Sequence, residues 1–403
     1  MNRAFWKAGH WPTLVAAFLY FDLAFMVWVL LGPLGVSIAK DLQLDAAQKG
    51  LMVGLPVLAG ALLRPVLGAS VDHFGAKITG IFAQLVVIAA LAVGWLAGVT
   101  TYSQVLLLGL FLGVAGASFA VALPLASRWY PPEHQGTALG IAGAGNSGTA
   151  FAALLAPTLA AWYGWSNVFG LALIPLVLVL IIFVVIARDP PATTGAKSWA
   201  DYVRVLRDKD AWWFMFFYSV TFGGFVGLAA SLTIYFNAQY GLDAKTAGFY
   251  TAACVFAGSF MRPIGGNLAD RIGGIKTLSY VYVIAAFALG IIGLGIESSY
   301  AALAVFVLAM LALGAGNGAV FQLVPQRFRK EIGVMTGLVG MAGGIGGFYL
   351  ASSLGLAKKL TGDYRAGFLA FAAFAVMGWL GLFAVKRRWR TTWGSAAMTA
   401  ARV

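Results

Sequence analysis

Twelve times along this chain a stretch of about twenty or more residues passes with almost no charge, which makes lipid its main solvent. The stretches run approximately over 12–36, 47–69, 78–99, 103–128, 136–161 and 166–187, then 211–236, 245–270, 277–296, 299–324, 332–358 and 364–386. The glycine-rich pair at 136–161 and 332–358 reads as the weakest in hydropathy. Ten-residue alternation, the mark of a membrane barrel, is missing. The first stretch is too long for a signal peptide and no small-x-small cleavage site closes it, so it reads as a retained helix. Of 403 residues, 61% are hydrophobic and 10% charged, whereas soluble domains sit near half and a quarter. An ordinary soluble enzyme, a disordered chain and a disulfide-stapled secreted domain are excluded. The expectation is an all-α membrane protein of twelve transmembrane helices.

A net charge of +13 on a soluble protein would suggest nucleic acid. Here the charges report topology instead. One set of loops and both termini carries nineteen Lys and Arg, from Arg3 and Lys77 through Arg128, Arg188, Lys197, Arg327, Arg329 and Lys330 to Arg388 and Arg402. The other set carries six: Lys40, Lys49, Lys245, Lys358, Lys359 and Arg365. The positive-inside rule therefore puts both termini in the cytoplasm, and nucleic acid leaves the list of partners. The polar stretch 188–210 separates six helices from six, giving bundles at 1–187 and 211–386 and a basic cytoplasmic tail at 387–403. One cysteine, Cys254, excludes internal disulfides and cysteine metal clusters. His10, His73 and His134 lie at or beyond the ends of apolar runs, which speaks against a His-built metal site. No cofactor is expected, and a monomer in the bilayer is.

The two bundles repeat each other. LLRPVLGASVDHFGAK (62–77) is echoed by FMRPIGGNLADRIGGIK (260–276), with Arg64/Arg262 and Asp72/Asp270 both 198 residues apart. LGVAGASFAVALP (112–124) is echoed by LGAGNGAVFQLVP (313–325). Gly68, Asp72, Gly75 and Lys77, with Gly266, Asp270, Arg271, Gly273 and Lys276, resemble the loop signature of the major facilitator superfamily. His73 stands where that signature has Arg. The resemblance implies two parallel six-helix repeats, with the small residues packing helices closely and Asp72, Asp270 and Arg271 acting in a state-dependent cytoplasmic latch.

Only Asp22, Arg64 and Arg262 place charge inside the stretches away from their ends, where an ionisable group costs on the order of 3 kcal/mol or more. Arg64 lies ~12 Å above the Asp72 end of its helix, Arg262 matches it by the repeat, and Asp22 reaches ~15 Å in. Two arginines at one depth in both halves suggest a shared anion site on the pseudo-twofold axis, since guanidinium forks suit oxyanions. Snorkelling or structural ion pairs are the other reading. GIAGAGNSGTAFAALLAP (140–157) and GLVGMAGGIGGFYLASS (337–353) pack helices through small residues. Asn146, the amide within the first run, reads as a donor to a ligand or to a neighbouring helix.

GIAGAGNSG and GLVGMAGGIGG resemble the paired signatures of the nitrate/nitrite porter family of that superfamily. FMVW (25–28), the two Arg-Pro pairs and YSVTFGGFVG (218–227) fit the same family, over essentially the whole chain. The resemblance implies that Arg64 and Arg262 grip a nitrate or nitrite anion, that Asn146 donates to it and that Tyr218 hydrogen-bonds nearby. It also implies that Phe119 and Phe222 wall the anion's plane, and that Gly116, Gly143 and Gly343 let helices close over so small a ligand.

Asp22, set among aromatics, suggests a carboxylate that carries a proton during symport, or else a permanent partner of an arginine. Nitrate entry against a negative-inside potential costs ~2.3 kcal/mol per 100 mV, so inward electrical drive needs two protons per nitrate. The rival classes are an exchanger of nitrate for nitrite, a carrier of another small oxyanion or monocarboxylate, a nitrate sensor and a membrane-embedded enzyme. No segment has room for a signalling domain, and no loop holds a nucleophile–base pair or a phosphate-binding loop.

Overall fold

The computed structural model describes residues 3–190, 199–328 and 331–393. The middle of the linker with Lys197, the pair Arg329–Lys330 and the end of the basic tail with Arg402 lie outside the described residues. The spanning helices are α1 (Trp11–Trp28), α2 (Ala46–Phe74), α3 (Ala76–Leu96), α4 (Tyr102–Ser127), α5 (Ala138–Tyr163) and α6 (Trp165–Ile186). Then come α7 (Lys209–Tyr240), α8 (Ala244–Ile272), α9 (Gly274–Leu294), α10 (Ser299–Arg327), α11 (Ile332–Thr361) and α12 (Arg365–Thr392). Short helices precede α1 (Arg3–Ala8), follow it (Gly35–Asp41) and lie in the linker (Trp199–Leu206).

Eleven of the twelve are apolar enough to cross a membrane by composition alone. The exception is α8, so the weakest hydropathy falls there and not on the glycine-rich α5 and α11. Its 29 residues include Lys245, Asn267 and Asp270, which are exposed, and Arg262, which helices of the same chain bury. The first span is also shorter than its apolar run: α1 stops at Trp28, and residues 29–34 form turns. Pro33 has no N–H to continue the helix, and Gly32 lies so close to Ala230 of α7 that a Cβ would strike its backbone.

Local chemistry sets the helix starts. Asp45 accepts from the Gln48 N–H at 2.8 Å while the Gln48 side chain accepts from the Asp45 N–H at 2.9 Å, a reciprocal cap on α2. The Gln48 N–H, helped by Lys359, holds the Asp45 carboxyl below the usual carboxylate range. Single-residue links join α2 to α3 and α8 to α9. They use Gly75 at φ 88° and Gly273 at φ 97°, a conformation that side-chain-bearing residues rarely adopt. These are repeat-equivalent glycines of the loop signature.

The repeat persists as geometry. In one half, Gly113 of α4 meets Gly60 of α2; in the other, Gly314 of α10 meets Gly258 of α8, each so close that a Cβ would overlap backbone. The halves meet through α2 with α11 and through α8 with α5. On the face away from the linker these contacts are again at backbone distance, Gly50 against Gly355 and Gly248 against the Ala153 carbonyl. Asp45 and Lys359 add an ion pair of 3.0 Å there, about half exposed. Toward the linker face the halves part. A Cβ on Gly140 or Gly333 would meet nothing within 4 Å, and between Gly68 of α2 and Gly337 of α11 stands Tyr202 of the linker helix.

These contacts leave no room for added methyls. Gly265→Val, which faces the Ala315 backbone, is expected to destabilise the detergent-solubilised protein by about 1–3 kcal/mol, as overpacking does. Gly290→Ala, where a Cβ meets nothing within 4 Å, is expected to melt at or slightly above the native temperature. Thermal unfolding followed by intrinsic fluorescence compares the two.

Candidate anion-binding site

Arg64 leaves α2 near its middle and is fully buried; Arg262 leaves α8 at the equivalent depth and is 8% exposed. Proline follows each, so the carbonyls of Ala61 and Ser259 lose their usual helical donors. Arg64 is fixed by main-chain acceptors: Nε donates to the Gly116 carbonyl of α4 at 3.3 Å, and a terminal nitrogen donates to the Gly340 carbonyl of α11. Arg262 donates to the Tyr218 hydroxyl of α7 at 3.5 Å.

Aromatic rings wall both guanidiniums. Arg64 Cζ is 5.0 Å from the Phe222 ring centre, 5.2 Å from Phe119 and 5.5 Å from Trp28. Arg262 Cζ is 5.7 Å from Phe321 and 5.9 Å from the same Phe119. Tyr218 and Phe222 stack at 5.0 Å, one helical turn apart on α7. Gly343 of α11 makes room for them, since a Cβ there would lie 2.6 Å from Tyr218 and 2.9 Å from Phe222. Gly116 takes the edge of Trp28 in the same way, and a Cβ on Gly143 would stop 3.8 Å short of Arg262.

What the site lacks decides its chemistry. No carboxylate among the described residues lies within ion-pair distance of either arginine, and Arg64 Nη2 and Arg262 Nη1 are buried with no hydrogen-bond partner. Each uncompensated buried charge costs several kcal/mol, and each orphaned donor about 1–3 kcal/mol more. A small oxyanion would answer both deficits, meeting the free N–H groups and balancing the charge. Among the described residues no cluster of three His, Cys, Asp or Glu is placed to hold a metal.

The sequence-derived residues fall into four groups. Arg64, Arg262, Tyr218, Phe119, Phe222, Gly116, Gly143 and Gly343 share one neighbourhood. Asn146 is buried with its Oδ1 unpaired and sits on a 3-10 turn of α5, three residues from Gly143. Asp22 stands apart from both arginines and accepts from Ser147 at 2.6 Å, so the permanent Asp22–Arg pair is not what forms. Of the latch residues, Asp72 pairs with Arg128 of its own half at 2.9 Å, while Asp270 and Arg271 are exposed.

Sequence reasoning missed Trp28, Phe321, Gly340 and Ser147 as neighbours of the charged groups. Trp28 had a signal, an indole within FMVW whose N–H must find an acceptor in lipid; it donates to the Pro56 carbonyl at 2.8 Å. Phe321 was hidden because the repeat aligns Phe119 with Val320, and the aromatic is displaced by one position.

A family model described as the Major Facilitator Superfamily matches residues 16–351. The probable nitrate/nitrite transporter NarK2 of Mycobacterium tuberculosis is 34% identical over 386 residues, covering 92% of this chain and 95% of that one. The nitrite extrusion protein of Bacillus subtilis is 31% identical, covering 88% and 91%. Among solved structures, a bacterial homologue of the human lysosomal transporter Spinster, inward-facing and occupied, superposes with a TM-score of 0.69 over 96% of this chain and 98% of its own. At 19% identity that likeness is one of fold. Folded as twelve helices around a buried polar site, the protein is an integral multi-pass membrane transporter rather than an enzyme. The chain belongs to the major facilitator superfamily and, within it, to the nitrate/nitrite porter family.

An anion that fills the site stabilises the folded state by mass action, about 2.7 kcal/mol at a hundredfold excess over Kd. The native protein in detergent is expected to melt higher as a small oxyanion is added to an otherwise gluconate buffer. Arg64→Gln and Arg262→Gln are each expected to flatten that response. A response in either variant equal to the native one would remove that arginine from the site.

Proposed function

We propose that this protein carries nitrate, and nitrite with it, across the cytoplasmic membrane by exposing the Arg64–Arg262 site to each face in turn. Both termini lie in the cytoplasm. The observation that carries the reading is the pair of buried guanidiniums with free N–H groups and, among the described residues, no carboxylate in ion-pair reach. Aromatic faces on both sides suit a flat, weakly hydrated anion, and the relatives are named for nitrate and nitrite. All the groups invoked come from one chain, so a monomer suffices. With the linker face cytoplasmic, the backbone contacts between the halves lie on the outer side, and Tyr202 of the linker helix stands between them on the inner side.

Uptake is proton-coupled in this reading, and Asp22 is the carrier of at least one proton. Its support is placement: a buried carboxylate close to the site helices yet bonded to a neutral hydroxyl, and so not neutralised by an arginine. Nitrate–nitrite exchange is the second reading, favoured by the relative named for nitrite extrusion. A transporter of another small oxyanion or a monocarboxylate is separated from both by counterflow with formate.

Reconstituted uptake decides between them. An imposed inward proton gradient is expected to drive nitrate accumulation without internal anion; stimulation by internal nitrite alone would establish exchange instead. Arg64→Lys and Arg262→Lys are each expected to abolish uptake in protein that still folds, because an ammonium cannot reproduce the planar fork. Asp22→Asn is expected to keep nitrate counterflow while losing the response to the proton gradient.

A further inference from the structure

Asp22 lies against a fault in α5. There the helix breaks into a 3-10 turn, Ala144–Ser147, a geometry that inside a longer helix often marks a functional hinge. α1 presses on the turn at backbone distance: a Cβ on Gly145 would strike Phe21, and one on Gly148 would strike the Asp22 carbonyl. The turn bears Asn146, whose Oδ1 is buried and unpaired. It also bears Ser147, whose hydroxyl is 2.6 Å from Asp22 Oδ1 and 2.9 Å from the Ala144 carbonyl oxygen. One hydroxyl hydrogen therefore has two acceptors within reach.

We propose that Ser147 is a positioning residue that reverses its hydrogen bond when Asp22 takes up a proton, passing the protonation state of Asp22 to the turn that bears Asn146. This rests on the reading of Asp22 as the proton carrier. With Asp22 ionised, Ser147 donates to the carboxylate, at the short distance of a charge-assisted bond. When a proton from water adds to Oδ1, the new O–H donates to Ser147 Oγ. The hydroxyl hydrogen then turns to the Ala144 carbonyl and ties the turn to itself; no bond of Ser147 breaks. Charge acts in the same direction. Protonation removes a negative charge from the α1–α5 contact beside the site, so proton and anion each favour the binding of the other.

The other ionisable groups facing Asp22 are few. Arg262 of α8 lies behind the turn beside Gly143, with Cys254 and Tyr250 two or more turns farther along α8. Arg64 is on α2, and α6 presents none. Tyr102 of α4 is held at the far face by the Gln48 carbonyl. Tyr20, on α1 itself, donates to the Gly80 carbonyl, and His134 sits against Phe5.

The test is nitrate uptake into proteoliposomes driven by a proton gradient over a series of pH values, with nitrate–nitrate counterflow as the proton-independent control. Without the hydroxyl that favours its ionised form, Asp22 releases its proton less readily. Ser147→Ala is therefore expected to keep counterflow within about twofold of native. Its proton-driven accumulation at neutral internal pH should fall, and the internal-pH midpoint for release should move upward by about half a pH unit or more. Ser147→Thr, which keeps the hydroxyl, is expected to restore the native profile. If Ser147→Ala loses counterflow through misassembly, Ser147→Cys, a near-isosteric weak donor, is expected to shift in the same direction. A Ser147→Ala profile superimposed on the native one, with Asp22→Asn uncoupled, overturns the role of Ser147 and leaves that of Asp22. Full proton drive in Asp22→Asn overturns the reading of Asp22 itself.

Discussion

Two positive charges buried together, with no counter-ion among the described residues, are the constraint around which the other features of this molecule are arranged. Arg64 and Arg262 are spared the full cost by partial charges: carbonyl oxygens of Gly116 and Gly340, the Tyr218 hydroxyl and the negative faces of four phenylalanine and tryptophan rings. A cation–π contact contributes about 0.5–2 kcal/mol, well below what an ion pair would supply. The site is thereby stable enough to fold and still deficient in negative charge. The glycines follow from the same need, because carbonyls and ring faces reach the guanidiniums only where helices carry no side chain between them.

The internal repeat is kept where packing demands it. Gly60–Gly113 and Gly258–Gly314 are the same contact twice, as are the turns at Gly75 and Gly273. Arg128 and Arg327 lie near the ends of their respective fourth helices, four residues after Pro124 and two after Pro325, and their partners differ. Arg128 bonds Asp72 of the loop signature, whereas Arg327 turns to Asp208 and Asp210 at the start of α7. Arg388 and the Trp389 indole N–H also reach Asp210. Asp270, the counterpart of Asp72, is left exposed. The linker-side ends of the halves are thus held by different networks.

Much of this could be read from residue order. Twelve helices, two repeats and the paired arginines follow from apolar run length and one offset of 198 residues, because lipid punishes every exception. The end of α1 and the polarity of α8 were harder to see. Both depend on neighbouring helices, Ala230 against Gly32 in one case and the helices that bury Arg262 in the other, and a hydropathy reading has no access to neighbours. The site divides the same way. Residues in repeated motifs were legible, while Phe321 and Trp28 reach the arginines from positions the repeat does not align. Asp22 was visible as a charge, but its partner was not, since a serine one turn of chemistry away in space is 125 residues away in sequence.

The face opposite the linker is closed by backbone fitting against backbone, Gly50 on Gly355 and Gly248 on Ala153, with one half-exposed ion pair beside them. Exposed pairs of that kind contribute about 0–1 kcal/mol and fade as ions screen them, whereas van der Waals fit does not respond to dissolved electrolyte. Closure on that side is therefore indifferent to salinity. A transporter built this way holds that seal alike in fresh and brackish water, with the paired guanidiniums confined to a depth that bathing ions do not reach.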